Sequence, residues 1–192
     1  MQFHSSIYLV SRKKGALMHS TRNYSIAYYG VLIALAFILS WLESFLPNPL
    51  EGMVPGIKLG LANLVVIVAL YRLGFFPAAS ISLIRVLLTA FTFGNLSMFF
   101  YSLAGAVISL LVMQFTRHFR IFSTTGVSIG GGLAHNLGQI LVAVLVLGNS
   151  LLYYLPYLLL GGCVSGFLIG LLSAFVLHHL PHINKTTKSK GL

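Results

Sequence analysis

The residues able to do chemistry in this chain are few, and most are basic or amide-bearing. Arg85 interrupts an otherwise apolar stretch, with Ser82 three residues before it and Thr89 four after. His135 and Gln139 stand four apart, with Asn136 beside the first. Lys58 is followed by Asn63, and Ser97 and Tyr101 are again four apart. Tyr153, Tyr154 and Tyr157 cluster further on. On a helix, spacings of three and four put side chains on one face. Cationic, imidazole and amide groups so arranged suit the neutralising and hydrogen-bonding of a small anionic or carboxylated solute. A purely structural alternative stays open. Arg85 would then pair with a carbonyl or with Glu43, and the amides would stitch helices together at ~0.6 kcal/mol per bond.

These groups must be held by membrane-spanning helices. Of 192 residues, 57% are hydrophobic and 7% charged, against about 25% charged in soluble domains. No Asp, Glu, Lys or Arg occurs in 86–116 or in 121–184. An unpaired backbone amide in a bilayer costs several kcal/mol, so such runs must be helices or a closed barrel. A barrel would alternate polar and apolar residues, and these runs do not. With about 20 residues needed per crossing, the expected spans are 24–46, 57–73, 75–93, 96–115, 125–147 and 151–180. The second is short, and the last is long enough to project from the membrane. The expectation is an all-α polytopic protein. One six-helix domain covers 24–180, between a basic segment, 1–23, and a basic tail, 181–192.

Orientation follows from the cations. Arg12, Lys13, Lys14, Arg22, Arg72, Arg117, Arg120, Lys185, Lys188 and Lys190 fall on one side under this span assignment, which is ten of the twelve basic residues. The positive-inside rule then puts both termini in the cytoplasm and the protein in the cell (cytoplasmic, inner) membrane. It also accounts for the net charge of +10 without nucleic acid, since the charges are scattered over short loops. Odd-numbered spans would run outward and even-numbered spans inward. Lys58, Asn63, Thr89, Tyr101, Gln139 and the three tyrosines then occupy the outer half, with Arg85 and His135 near the midplane. A charge there costs at least ~2.5–3.5 kcal/mol on insertion scales. The expected result is an outward-facing solute cavity lined by Lys58, Asn63, Arg85, Thr89, Tyr101, His135, Asn136 and Gln139.

Small residues recur at every fourth position in Gly30-Ala34, Gly130-Ala134-Gly138 and Gly162-Gly166-Gly170. Such rows let helices approach closely. Internal packing suffices for the later two, whereas Gly30 and Ala34 could form a docking surface for a partner. The one cysteine, Cys163, reads as a small buried hydrophobe. Met1 and Met18 both remain possible starts, because the membrane pattern begins just after the second. No cleavable signal is evident in the first apolar run.

The segments Pro55-Gly56-Ile57-Lys58-Leu59-Gly60-Leu61-Ala62-Asn63, Arg85-Val86-Leu87-Leu88, Ser102-Leu103-Ala104-Gly105, Ala134-His135-Asn136-Leu137-Gly138-Gln139 and Tyr154-Leu155-Pro156 together resemble the Gx transporter family. That family is also catalogued as heptaprenyl diphosphate synthase component I. The likeness runs over roughly 24–177. It implies an architecture similar to the S components of energy-coupling factor transporters. Those six-helix proteins capture a solute outside and dock on a shared ATPase module through the first helix, here through Gly30 and Ala34 in place of the usual alanine pair.

The two family labels demand different chemistry. Prenyl chain elongation ionises a diphosphate held by Mg²⁺, which needs hard oxygen ligands. The chain has no aspartate, and Glu43 and Glu51 are its only acids. No phosphate-cradling Walker sequence occurs either, so any ATP hydrolysis belongs to a partner. No enzyme activity, metal or cofactor is expected. The leading reading is a membrane solute-binding or transport subunit that works with the lipid bilayer, a small solute and an energy-coupling ATPase module. The alternative is a non-catalytic membrane component beside a prenyl synthase subunit in heptaprenyl diphosphate or quinone synthesis.

Overall fold

The computed structural model describes residues 26–45 and 60–180, and the regular elements among them are all helical. They are α1 (Ile26–Glu43), α2 (Leu61–Arg72), α3 (Phe75–Phe93), α4 (Leu96–His118), α5 (Thr124–Leu147) and α6 (Leu155–His179). A 3-10 turn, Asn149–Tyr154, precedes α6. Five of these helices are long and apolar enough to cross a membrane. α2 has 12 residues, about 18 Å at 1.5 Å per residue, and falls short of the ~30 Å hydrocarbon core. The expected second span began at 57, and 57–59 lie outside the described residues.

The boundaries have local causes. Gly74 adopts φ 105, a conformation open to glycine but strained for L side chains, and so reverses the chain between α2 and α3. Asn95 caps α4, its Oδ1 accepting the Met98 N–H at 2.8 Å. Ser123 caps α5, its Oγ accepting the Gly126 N–H at 3.2 Å. The expected sixth span, 151–180, opens as a 3-10 turn and continues as α6 from Leu155, the two together making one apolar stretch, Asn149–His179. Pro156 favours that start, because its missing N–H costs nothing in a helix's first turn.

α2 is the centre of the bundle. Its residues 65–70 are buried in an unbroken run, which only a helix covered on every side can show. The core around it joins Leu32 of α1, Ile81 of α3, Met113 of α4, Val127 of α5 and Ile169 of α6. The outer faces carry the bulky apolar groups: Phe91 is 87% and Leu145 84% exposed, as lipid-facing side chains are. Cys163 lies on such a face of α6 and is exposed, which corrects the expectation of burial. A thiol is apolar enough to face lipid, so its sequence context did not decide the side.

α6 meets α5 backbone against backbone. A Cβ built on Gly132 would lie 2.4 Å from the Gly162 carbonyl oxygen, and one on Gly166 would lie 2.8 Å from that of Ser128. The row Gly162-Gly166-Gly170 therefore packs internally, as expected, but against Thr125, Ser128, Ile129 and Gly132. The expected α5 row is turned instead to α4, with Gly130 beside Val112 and Gly138 against Ala104 and Gly105. α5 thus presents two small-residue faces, one to each neighbour.

At the C-terminal ends of α2 and α6, cations from α2 and α4 close helix carbonyls. Arg72 Nη2 donates to Leu177 O at 2.6 Å and to Leu180 O at 2.7 Å. Arg117 Nη1 donates to Leu70 O at 2.7 Å, with its guanidinium 5.0 Å above the Tyr71 ring. Cations are favoured at helix C-termini, where carbonyls lack partners. Arg117→Met keeps the stem and removes both contacts. With Arg117 partly exposed, about 1–2 kcal/mol of stability should be lost, read as a lowered thermal midpoint. An unchanged midpoint would leave Arg117 with a topological role alone.

Candidate functional site

Arg85 sits at the middle of α3 and is 8% exposed. Helical spacing puts Ser82 and Thr89 on its face, and both are buried with it. Thr89 Oγ1 is turned back within the helix and donates to the Arg85 carbonyl at 2.7 Å. The guanidinium reaches across to α1, where Nη1 donates to Ser40 Oγ at 3.4 Å. Its Nε–H finds no acceptor among the described residues. Ser40 is itself fully buried.

One turn beyond Ser40, Glu43 ends α1, buried and within electrostatic reach of Arg85. A buried cation is tolerated only with compensation, and Glu43 supplies part of it. Glu43 Oε1 also accepts the Gly60 N–H. Gly60, at φ 83, is the residue from which α2 departs. The carboxylate thereby ties the end of α1 to the start of α2. This corner gathers a guanidinium, a carboxylate and three hydroxyls inside a hydrocarbon-facing bundle.

The remaining expected site residues form further groups. Tyr101 of α4 is buried, as is Gln139 of α5, while His135 is half-buried. Gly105, one turn from Tyr101, is the contact point. A Cβ there would stand 2.9 Å from His135 Cε1 and 3.0 Å from Gln139 Cγ. His135 and Gln139 therefore share a face against α4. Asn136 is directed elsewhere, for its Nδ2 donates to Leu158 O of α6 at 2.6 Å. Neighbouring helix residues diverge by about 100°, since 3.6 residues complete a turn. Asn63 stands in the first turn of α2, beside Gly60. Lys58 lies outside the described residues. Tyr153 and Tyr157 are exposed, in keeping with an interfacial aromatic belt.

Two features were not anticipated. Ser109 of α4 and Ser128 of α5 are buried polar residues facing the bundle interior near Asn63. Each lies four residues from a glycine of the same helix, Gly105 and Gly132, the one signal that could have placed them at a tight interface. The second feature is a groove of about 520 Å³ on the α4–α5 side, lined by Leu96, Phe100, Tyr101, Val107, Val142 and Val146 among others. Its lining is overwhelmingly hydrocarbon, with Ser97 and Tyr101 the polar exceptions.

The family model for heptaprenyl diphosphate synthase component I matches residues 32–176. The chain belongs to that family. No curated protein and no solved structure matches it. The component I match takes in nearly all of the six helices, with Ser40, Glu43, Arg85, Ser109, Ser128 and His135 inside it, whereas Gly30 falls outside. The chain is therefore a membrane-integral component I protein, also placed in the Gx transporter family. Within the component I bundle, no cluster of three or more His, Cys, Asp or Glu that could hold a metal occurs among the described residues.

Proposed function

We propose that this protein is a solute-binding or transport subunit of the cytoplasmic membrane, receiving a small anionic or carboxylated solute from outside. The observation that carries the reading is Arg85, a buried guanidinium at mid-helix with an N–H unsatisfied among the described residues. Such a group in a bilayer is expensive, and intramembrane ionisable residues mark ligand or ion pathways by default. A carboxylate would take the Nε–H and offset the cost. In this reading Ser40, Ser82 and Thr89 frame the anion, Lys58 adds charge at the mouth, and Asn63, Tyr101, His135, Asn136 and Gln139 line or brace the approach. Mild extraction followed by mass spectrometry of what denaturation releases should recover an anionic small molecule near one per chain. Recovery no higher than from an unrelated membrane protein removes the reading.

Orientation and coupling belong to the same proposal. Reporter fusions after Leu192 and within 117–124 should read cytoplasmic, and fusions at Leu50 or Asn149 external. A C-terminus that reads external overturns the outward site. Docking on an energy-coupling ATPase module is supported by the open face of α1. Among the described residues nothing lies within 4 Å of a Cβ built on Gly30, and Ala34 is exposed beside it. Gly30→Leu should therefore abolish complex formation with such a module and leave folding and solute binding intact. Loss of all three together would show that the face packs internally.

A second reading is favoured by the family description and by the apolar groove on the α4–α5 side. The protein would then be a non-catalytic membrane partner of a prenyl synthase. The absence of aspartate from the chain argues that the Mg²⁺-diphosphate chemistry resides in that partner. Co-purification with a prenyl synthase subunit rather than an ATPase module decides between the two.

A further inference from the structure

Where α2, α4, α5 and α6 meet, the bundle leaves a cavity of about 10 Å³, lined by Asn63, Ser109, Ser128, Ser165, Met113 and the glycine faces of α5 and α6. Ser109 is 2% exposed, and its Oγ has no hydrogen-bond partner among the described residues. A helical serine usually relieves that penalty by bonding to the carbonyl four residues earlier. Ser173 does so to Ile169 O at 2.7 Å, and Ser80 to Phe76 O at 3.0 Å. Ser109 does not. Its hydroxyl is directed at α5, 3.3 Å from where a Cβ on Gly131 would stand. A side chain at that position would have to displace Met113, because the same Cβ would lie 2.6 Å from Met113 Cγ.

A volume of about 10–15 Å³ suffices for one water, provided two to four polar groups surround it. Both conditions hold here. No acid lines the cavity, so a cation would be a buried charge without compensation, and an organic solute is too large. We propose that this cavity binds a single water molecule, shared between the Ser109 and Ser128 hydroxyls and the Asn63 amide. The water fastens the first turn of α2 to α4 and α5. Together with the Glu43–Gly60 bond, it makes the entry of α2 a polar, exchangeable joint within an apolar bundle. Asn63 then serves the joint, and the inference stands independently of the solute assignment.

The sign of one stability change tests this. In the full-length protein, Ser109→Ala should lower the thermal midpoint by about 2–4 °C, because the water loses an anchor. A raised midpoint would mean that the alanine had removed a dry, unsatisfied hydroxyl, and the proposal would fall. Ser128→Ala should act in the same direction. The double variant should cost less than the two singles added, since both hydroxyls hold one molecule; strict additivity overturns the sharing. Replacing sodium by potassium in the buffer should leave every midpoint unchanged, and stabilisation specific to sodium would assign the cavity to a cation instead. Should Ser109→Ala fail to fold, water-edited solid-state NMR of the wild type in lipid decides. Ser109 and Ser128 should receive magnetisation from an immobilised water, and no transfer to either ends the proposal.

Discussion

Arg85→Gln should weaken binding of a carboxylated solute by roughly ten- to a hundredfold, the equivalent of losing one charge-assisted bond at ~1.5–3 kcal/mol. Glutamine keeps hydrogen bonding and approximate length, so the change isolates the charge. His135→Ala and Gln139→Ala should each cost less, because neutral hydrogen bonds are weaker. Asn136→Ala should show itself in stability first, since its amide holds Leu158 O of α6. The competing outcome is specific. Glu43 is buried within reach of the guanidinium and also holds Gly60. If Arg85→Gln and Glu43→Gln both unfold the protein in detergent, the two residues are a structural pair, and removing either partner strands a buried charge. If Glu43→Gln folds and binds while Arg85→Gln folds and does not, the anion site stands. Binding measured directly on monodisperse protein separates these cases.

Gly166→Leu should be among the most destructive single changes in the bundle. A Cβ at Gly166 would lie 2.8 Å from both Ile129 Cα and the Ser128 carbonyl oxygen. These are backbone atoms of a helix, so nothing nearby can rotate away. Overpacking a yielding core costs about 1–3 kcal/mol, and this site does not yield. The expected cost is therefore above ~3 kcal/mol, read as loss of monodisperse protein or a collapse of the thermal midpoint. Gly30→Leu is the internal control, since no described residue comes within 4 Å of a Cβ at that position. Normal folding of Gly166→Leu would mean that α5 and α6 are further apart than described. Equal damage from the two changes would mean that α1 is packed on its small-residue face.

The membrane character and the six helices among the described residues could be read from the chain alone, because both depend on which solvent each stretch tolerates. A run such as 121–184 without one Asp, Glu, Lys or Arg admits only lipid or protein around it, and backbone satisfaction then demands a helix. The turn at Gly74 and the start of α4 after Asn95 are local events with local signals. Facing is another matter. Periodicity set His135, Asn136 and Gln139 within five residues, but their partners depend on which neighbour lies at each angle around α5. α4 takes His135 and Gln139, and α6 takes Asn136. In a helix apolar on every side there is no amphipathic stripe to announce this.

The same limit explains Gly132, which belonged to no expected row and yet forms the closest approach to α6. Cys163 reads as buried from its type and is exposed, because in lipid an apolar residue has no reason to prefer the inside. Arg85 was recognisable as costly from sequence. That Ser40 accepts from it, and that Glu43 bonds Gly60 seventeen residues away, was decided only when α1, α2 and α3 came together. Composition chooses the solvent and the secondary structure; the pairing of faces is chosen by packing among helices that all look alike to lipid.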